Sequence, residues 1–315
     1  MMILLWILFA LALIVGGISY YCYRLGFYAP PRVPLGPDEF ELPEGEIYEP
    51  FHASMKKWTA ETRQTPHKTY TIQSFDGLTL YGRYYELTPG APIELMFHGY
   101  RGSAERDLSG GMQRCFKLGR SAFIVDQRCS GSSQGNTITF GVNEHKDCLT
   151  WVDFVINLFG TDVKIILTGL SMGASTVLMA GGHPLPKNVI GILADCGYHS
   201  QKEIILSVIS QMGLPAKAVY PFVKLGAKLF GHFDLEEITP EEAVKHCTVP
   251  VLFFHGDADD YVPSYMSKRN FDACASRKQL VIIPGAGHGL SYPVGREHYL
   301  QPAKDFFGPE GSIYS

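Results

Sequence analysis

Lys164-Ile165-Ile166-Leu167-Thr168-Gly169-Leu170-Ser171-Met172-Gly173-Ala174-Ser175-Thr176-Val177-Leu178-Met179-Ala180 joins an apolar run to a glycine-flanked serine and then to a run of small, helix-compatible residues. Strand, turn and helix follow one another without a loop, and the turn carries G-x-S-x-G in the setting that pattern requires. So tight a bend holds the serine in a strained conformation with its hydroxyl projecting. Side chains at Gly169 or Gly173 would collide with strand and helix. The helix amino terminus faces the same point, and its free N–H groups favour negative charge there. The plainer alternative is a serine that only caps the helix.

Further apolar runs, short and bounded by Gly, Asp or Pro, lie at 93–97, 122–126, 189–195, 249–256 and 279–285. With 164–169 they read as strands covered on both faces of a parallel sheet. Helix-length amphipathic segments at 103–118, 144–159, 172–182 and 264–275 alternate with them. Residues 68–74 and 78–86, around Asp76-Gly77, read as strand, turn and strand. The predicted architecture is α/β: a mostly parallel eight-stranded sheet with helices on both faces, whose ligands gather at the carboxyl ends of the strands. The insertion at 200–240 reads as a small helical cap able to shape specificity and exclude water, with outer helices as the alternative. Met212, Leu214 and Phe222 are its candidate pocket residues.

Residues 1–23 carry no charged side chain. As a helix rising about 1.5 Å per residue they reach across a hydrocarbon core of about 30 Å. No Lys or Arg precedes the run, and Tyr20, Tyr21 and Tyr23 close it. An uncleaved transmembrane anchor is therefore predicted in preference to a signal peptide, with the membrane a partner through residues 1–23. Arg24 and Arg32 beyond the helix place the bulk of the chain in the cytoplasm by the positive-inside rule; a signal-anchor with the domain outside is the other orientation. From 26 to 50, Pro30, Pro31, Pro34, Pro37, Pro43 and Pro50 mix with acidic residues, which favours an extended linker or wrapping arm. The plan is an anchor at 1–25, an arm and wrapping helix at 26–66, and a catalytic domain at 67–315.

The 315 residues carry a formal net charge of −4, with 46% hydrophobic and 18% charged residues. That balance excludes a disordered chain and gives no basic footprint for nucleic acid. The seven cysteines are scattered and lack a CxxC pair. They suggest neither a zinc site nor a disulfide framework, so no metal is expected.

Phe97-His98-Gly99-Tyr100, the 169–173 turn, His255-Gly256-Asp257-Ala258-Asp259-Asp260-Tyr261-Val262-Pro263 and Gly287-His288-Gly289 occur in that order. On these motifs residues 68–308 resemble the α/β-hydrolase superfamily. Asp126-Gln127-Arg128, Gly131-Ser132 and Phe140-Gly141 look like a bacterial membrane-anchored branch of serine hydrolases and esterases. A serine hydroxyl needs a base, and histidine is competent near neutrality. His288, in the loop after the last strand, is the expected base, where the resemblance also places it. His98 and His255 each precede a glycine and are expected to bond backbone instead. The imidazole needs a carboxylate partner, and Asp257, Asp259 and Asp260 crowd one loop. In similar sequences the acid is the D of HGxxD and of DxxVP, and both frames select Asp259, with Asp260 next and Asp195 a competitor.

The resemblance implies an oxyanion hole from the backbone N–H groups of Met172 and Tyr100, with the Tyr100 ring in the pocket. Arg101 reads as a solvated loop arginine, or as a binder of an acidic substrate group. The expected activity is cleavage of a small-molecule carboxylic ester through an acyl-enzyme on Ser171, without metal or organic cofactor. The alternatives are a peptidase or amidase of the prolyl-peptidase-like type and, from a different class, a catalytically inactive membrane-tethered binding module.

Overall fold

The computed structural model describes residues 1–30, 36 and 38–308; Arg32, Pro31, Pro34 and Pro37 of the expected arm lie outside them. The chain opens with α1 (Met2–Gly26) and passes through a short 3-10 turn into α2 (His52–Gln64). The hairpin β1 (Lys68–Gln73) and β2 (Thr79–Tyr85) leads to β3 (Ile93–Phe97), α3 (Ala104–Lys117), β4 (Ser121–Asp126), α4 (Glu144–Phe159), β5 (Ile165–Leu170), α5 (Met172–Ala180) and β6 (Val189–Asp195). There follow α6 (Gln201–Gln211), α7 (Ala216–Phe230), α8 (Pro240–Val244), β7 (Val251–Gly256), α9 (Tyr265–Ala273), β8 (Lys278–Ile283), α10 (Ser291–Val294) and α11 (Arg296–Phe307). α11 carries Pro302 within its body, which masks it in the sequence.

The eight strands form one sheet in the order β1-β2-β4-β3-β5-β6-β7-β8. β1 and β2 run antiparallel to their neighbours, and every pairing from β4 through β8 is parallel. β3, β4 and β7 are buried at every position, as strands covered on both faces must be. One of those buried positions is an acid. Glu94 in β3 receives Arg114 and Arg120 and the hydroxyl of Thr168. Burial alone would raise its pKa, but the two guanidinium groups prevail and hold it below the ordinary value. The network ties β3 and β5 to α3, and Arg120 reaches on to the Ala303 carbonyl of α11 at 2.7 Å.

α6 and α7 form the cap between β6 and β7. α1 does not stand apart from it. Its first turns are exposed, but Ser19 and Tyr23 are buried, and Gly226 of α7 leaves room for the Ser19 carbonyl where a Cβ would overlap it. Tyr20 meets Phe230 edge-on at 5.1 Å, and Phe27 packs between Phe140 and Phe233. Beyond the helix, Ala29 N–H donates to the Asn136 carbonyl at 2.9 Å, and Ile138 N–H donates to that of Phe27 at 2.8 Å. The boundary expected at 25/26 is therefore corrected. The last two turns of α1 and residues 27–29 belong to the packed domain, because their aromatic side chains share a cluster with the cap.

Candidate active site

The tight bend between β5 and α5 leaves Ser171 at φ 55°, ψ −118°, outside the regions an L-residue ordinarily occupies. A Cβ at Gly169 would overlap the Gly173 carbonyl, and one at Gly173 would overlap the Phe97 carbonyl. Both glycines are therefore required by close approach of backbone. Ser171 N–H is anchored on the Asp195 carbonyl at 2.8 Å. Of the six non-glycine residues with positive φ among those described, Ser171, Arg101 (51°) and Cys196 (49°) surround this point; strain of this kind gathers at functional sites.

His288, in the loop after β8, stands with Nε2 at 2.9 Å from Ser171 Oγ and Nδ1 at 2.8 Å from Asp259 Oδ2. Asp259 Oδ1 accepts from the backbone N–H groups of Tyr261 (3.0 Å) and Val262 (2.8 Å). His255 Nε2 lies 3.3 Å from Asp259 Oδ2. Burial pushes this carboxyl upward, but the hydrogen bonds from His255 and His288 and the imidazole charge outweigh it and bring Asp259 down to about 2. An ionised Asp259 only accepts, so Nδ1 of His288 carries the ring proton and Nε2 is left to accept from the serine hydroxyl. The imidazole also lies edge-on to Tyr261 at 5.1 Å.

The other candidate acids and histidines are engaged elsewhere. Asp257 accepts from Gly285 N–H at 2.6 Å, Asp195 from Ser291 Oγ at 2.7 Å, and Asp260 is exposed. His98 Nδ1 bonds the Gly99 carbonyl at 2.8 Å, and its Nε2 accepts from Gln127 N–H at 3.0 Å. His255 bonds the Val262 carbonyl (2.7 Å) and Ser267 Oγ (2.6 Å). Cys196, Asp259 and His288 place ligand-type atoms within 4.8 Å of one another. Burial keeps the Cys196 thiol neutral, and the other two are bonded to each other, so the trio is not prepared for a cation.

Met172 begins α5 and has no intrahelical acceptor for its N–H; Tyr100 follows Gly99 in the turn after β3. That turn is braced by Asp107 of α3, a residue sequence reasoning missed, whose Oδ2 accepts Gly99 N–H at 2.9 Å. Asp107 is partly buried, which would raise its pKa, yet Arg106, with Nε 2.6 Å from Oδ1, keeps it below the ordinary value. The only hint in the sequence was an acidic residue in the first turn of a helix, which is common. Tyr100 Oη donates to the Gly26 carbonyl at 2.7 Å, and Arg101 Nη2 reaches the carbonyls of Leu25 (3.0 Å) and Tyr28 (2.9 Å). Both readings of Arg101, solvated or substrate-binding, are thereby corrected: it closes the carboxyl end of α1.

Ser171 and His288 open into a cavity of about 750 Å³. One wall is residues 43–48 of the proline-rich arm, ending in Ile47 and Tyr48. Residues 45–48 fold into a turn, with Tyr48 N–H on the Gly45 carbonyl at 3.0 Å; irregular chain of this kind has no periodicity to reveal which residues face inward, so this wall could not be read from the sequence. Tyr100 also borders a second cavity, of about 430 Å³, lined by Met212 and Leu214. Phe222 borders neither. Val219 and Val223, one turn apart on α7, take the inward face, and Phe222 is rotated about 100° from Val223.

A family model described as the prolyl oligopeptidase family matches residues 134–310. The chain belongs to the prolyl oligopeptidase family. The uncharacterized protein YqkD of Bacillus subtilis is 28% identical over 190 residues, 60% of this chain; the match spans 62% of that relative. An esterase of Pyrococcus furiosus superposes with a TM-score of 0.67 at 18% identity over 89% of this chain and 99% of its own. Est1E of Butyrivibrio proteoclasticus, solved with ferulic acid bound, gives 0.57 at 20% identity over 75% and 97%. As in these two structures, the prolyl oligopeptidase family member described here has the α/β-hydrolase fold.

Proposed function

We propose that the protein is a serine hydrolase that cleaves carboxylic esters. The observation that carries this reading is the His288 ring held between Ser171 Oγ and Asp259 Oδ2, at 2.9 and 2.8 Å. Ser171 Oγ bonds to the ester carbonyl carbon while its proton passes to Nε2, and Asp259 steadies the imidazolium through Nδ1–H. The oxyanion is received by the N–H groups of Met172 and Tyr100. The carbonyl–alkoxy bond then breaks, the alcohol leaves with the proton from Nε2, and a water repeats the sequence on the acyl-enzyme to release the acid and restore Ser171. α1, long and apolar enough to cross a membrane, acts as an uncleaved anchor; cleavage after it would strip Tyr23 from a packed cluster.

A fluorophosphonate probe tests the chemistry: it should label wild type and not Ser171→Ala, and failure to label folded wild type would leave the inactive tethered module as the reading. Membership of the prolyl oligopeptidase family favours a second reading, a peptidase or amidase. p-Nitrophenyl esters turned over faster than aminoacyl p-nitroanilides are the expected result; the reverse preference would assign the peptidase.

A further inference from the structure

The cavity of about 430 Å³ lies between the carboxyl half of α1 and the cap, and it shares Tyr100 and Tyr261 with the larger cavity that holds Ser171. Apart from the hydroxyls of three tyrosines and the Cys22 thiol, its lining is entirely apolar. A charged or hydrogen-bonding ligand would find too few partners there. Its volume is within the range of small-molecule sites, about 300–1,000 Å³. A helix about 10 Å across would fill it in a single turn, whereas one extended hydrocarbon chain can thread it.

Its position says where such a chain comes from. Residues 2–17 of α1 stand clear of the domain, and at 1.5 Å per residue they reach about 24 Å, short of a core of about 30 Å. To span the bilayer the helix must sink until Ile18 and Tyr21, which line the cavity, reach the hydrocarbon edge. That brings the cap rim down with them, and the rim is Met212 and Leu214, 61% and 47% exposed. The same cavity therefore opens on lipid at one side and on the Tyr100 turn at the other.

Resting on the serine hydrolase reading, we propose that this cavity binds the acyl chain of a long-chain ester drawn from the bilayer, with its carbonyl presented to Ser171 between Tyr100 and Tyr261. The acyl chain stays in the apolar cavity through the acyl-enzyme, and the alcohol leaves through the cavity walled by residues 43–48. Water then releases the fatty acid.

The test uses the full chain in phosphatidylcholine vesicles. The ratio of kcat/KM for p-nitrophenyl palmitate to that for p-nitrophenyl butyrate should exceed unity in wild type. It should fall at least about tenfold in Val208→Trp, which fills the cavity, because a few methylenes lose their burial. Met212→Trp at the exposed rim, where folding is not at risk, should lower the ratio as well. Leu158→Trp, on α4 away from both cavities, should not change it. A ratio unmoved by both cavity variants overturns the proposal. A diazirine-bearing palmitic acid in the same vesicles provides a reading independent of turnover. It should crosslink to the tryptic peptide 203–217 in wild type and in Ser171→Ala, and not in Val208→Trp. If wild type hydrolyses neither ester, the serine hydrolase reading falls and the crosslink alone decides the acyl site; labelling that Val208→Trp leaves intact refutes that site.

Discussion

Asp259 and Asp260 are adjacent in sequence, and packing separates them completely. Asp259 lies beneath the imidazole with two backbone donors and His255 around it, while Asp260 is exposed and offers its backbone carbonyl to Gln211. Asp259→Asn presents the wrong partner to Nδ1–H and should lower kcat by about 10⁴-fold. Asp260→Asn should leave kcat within about threefold, since it removes no partner of the reacting groups. Equal losses in esterase assays of the two variants would remove Asp259 from the mechanism. With its pKa brought down to about 2, Asp259 also stabilises the fold only while ionised. That contribution, about 2 kcal/mol, is complete above its unfolded value near 3.9 and is lost as pH falls toward 2. Melting curves from pH 5 to 2 should therefore fall less steeply for Asp259→Asn than for wild type. The sequence order of the HGxxD and DxxVP frames singled out Asp259 because both count from fixed points in one loop. Asp107, bonded to Gly99 N–H beneath the Tyr100 turn, belongs to no such frame: its role depends on α3 folding back against β3. Asp107→Asn should lower kcat at least about tenfold with little change in KM, the pattern for a displaced oxyanion donor rather than lost substrate binding.

At the scale of elements, the strands were legible because burial on both faces selects continuous apolar runs, and the helices because one buried face selects a period. The exceptions are physical. Glu94 sits in the run Ile93-Glu94-Leu95-Met96-Phe97 and reads as an interruption, yet it is fully enclosed because Arg114 and Arg120, twenty and more positions away, fold over it. Pairing between α3, the loop before β4 and β3 is a tertiary event that no local pattern announces. Removing one partner of such a network leaves the others buried and uncompensated. Glu94→Ala should therefore cost about 3–5 kcal/mol, while Thr168→Val, which deletes a neutral partner only, should cost about 1–2 kcal/mol. Chemical denaturation of the two variants checks the order, and a Glu94→Ala protein as stable as wild type would show that the network does not support the fold.

At the scale of the whole molecule, the apolar helix α1 and the α/β-hydrolase domain are one packed unit. Tyr100 Oη and Arg101 bond the carbonyls that end α1, and Tyr23 Oη lies 2.8 Å from Thr137 Oγ1. The sequence showed where polarity changes, at Arg24, but the packing boundary lies earlier, where Ser19 first meets Gly226. Two truncations separate the two boundaries. Deleting residues 1–16 removes only exposed apolar turns, so the protein should leave the membrane fraction, stay monodisperse and keep its unfolding temperature within a few degrees, as expected for removal of surface outside the core. Deleting residues 1–28 also takes Tyr23 and Phe27 from the cap cluster and the carbonyls that hold Tyr100 and Arg101. Burial of two large aromatic side chains is worth several kcal/mol, so this form should aggregate or melt far below the first. It should also lose ester hydrolysis before it unfolds, because the turn carrying the Tyr100 N–H has lost its support. Sedimentation, unfolding temperature and turnover of a short-chain ester, measured on both truncations, read the three effects separately. Equal stability and turnover of the two would mean that α1 is a tether and nothing more.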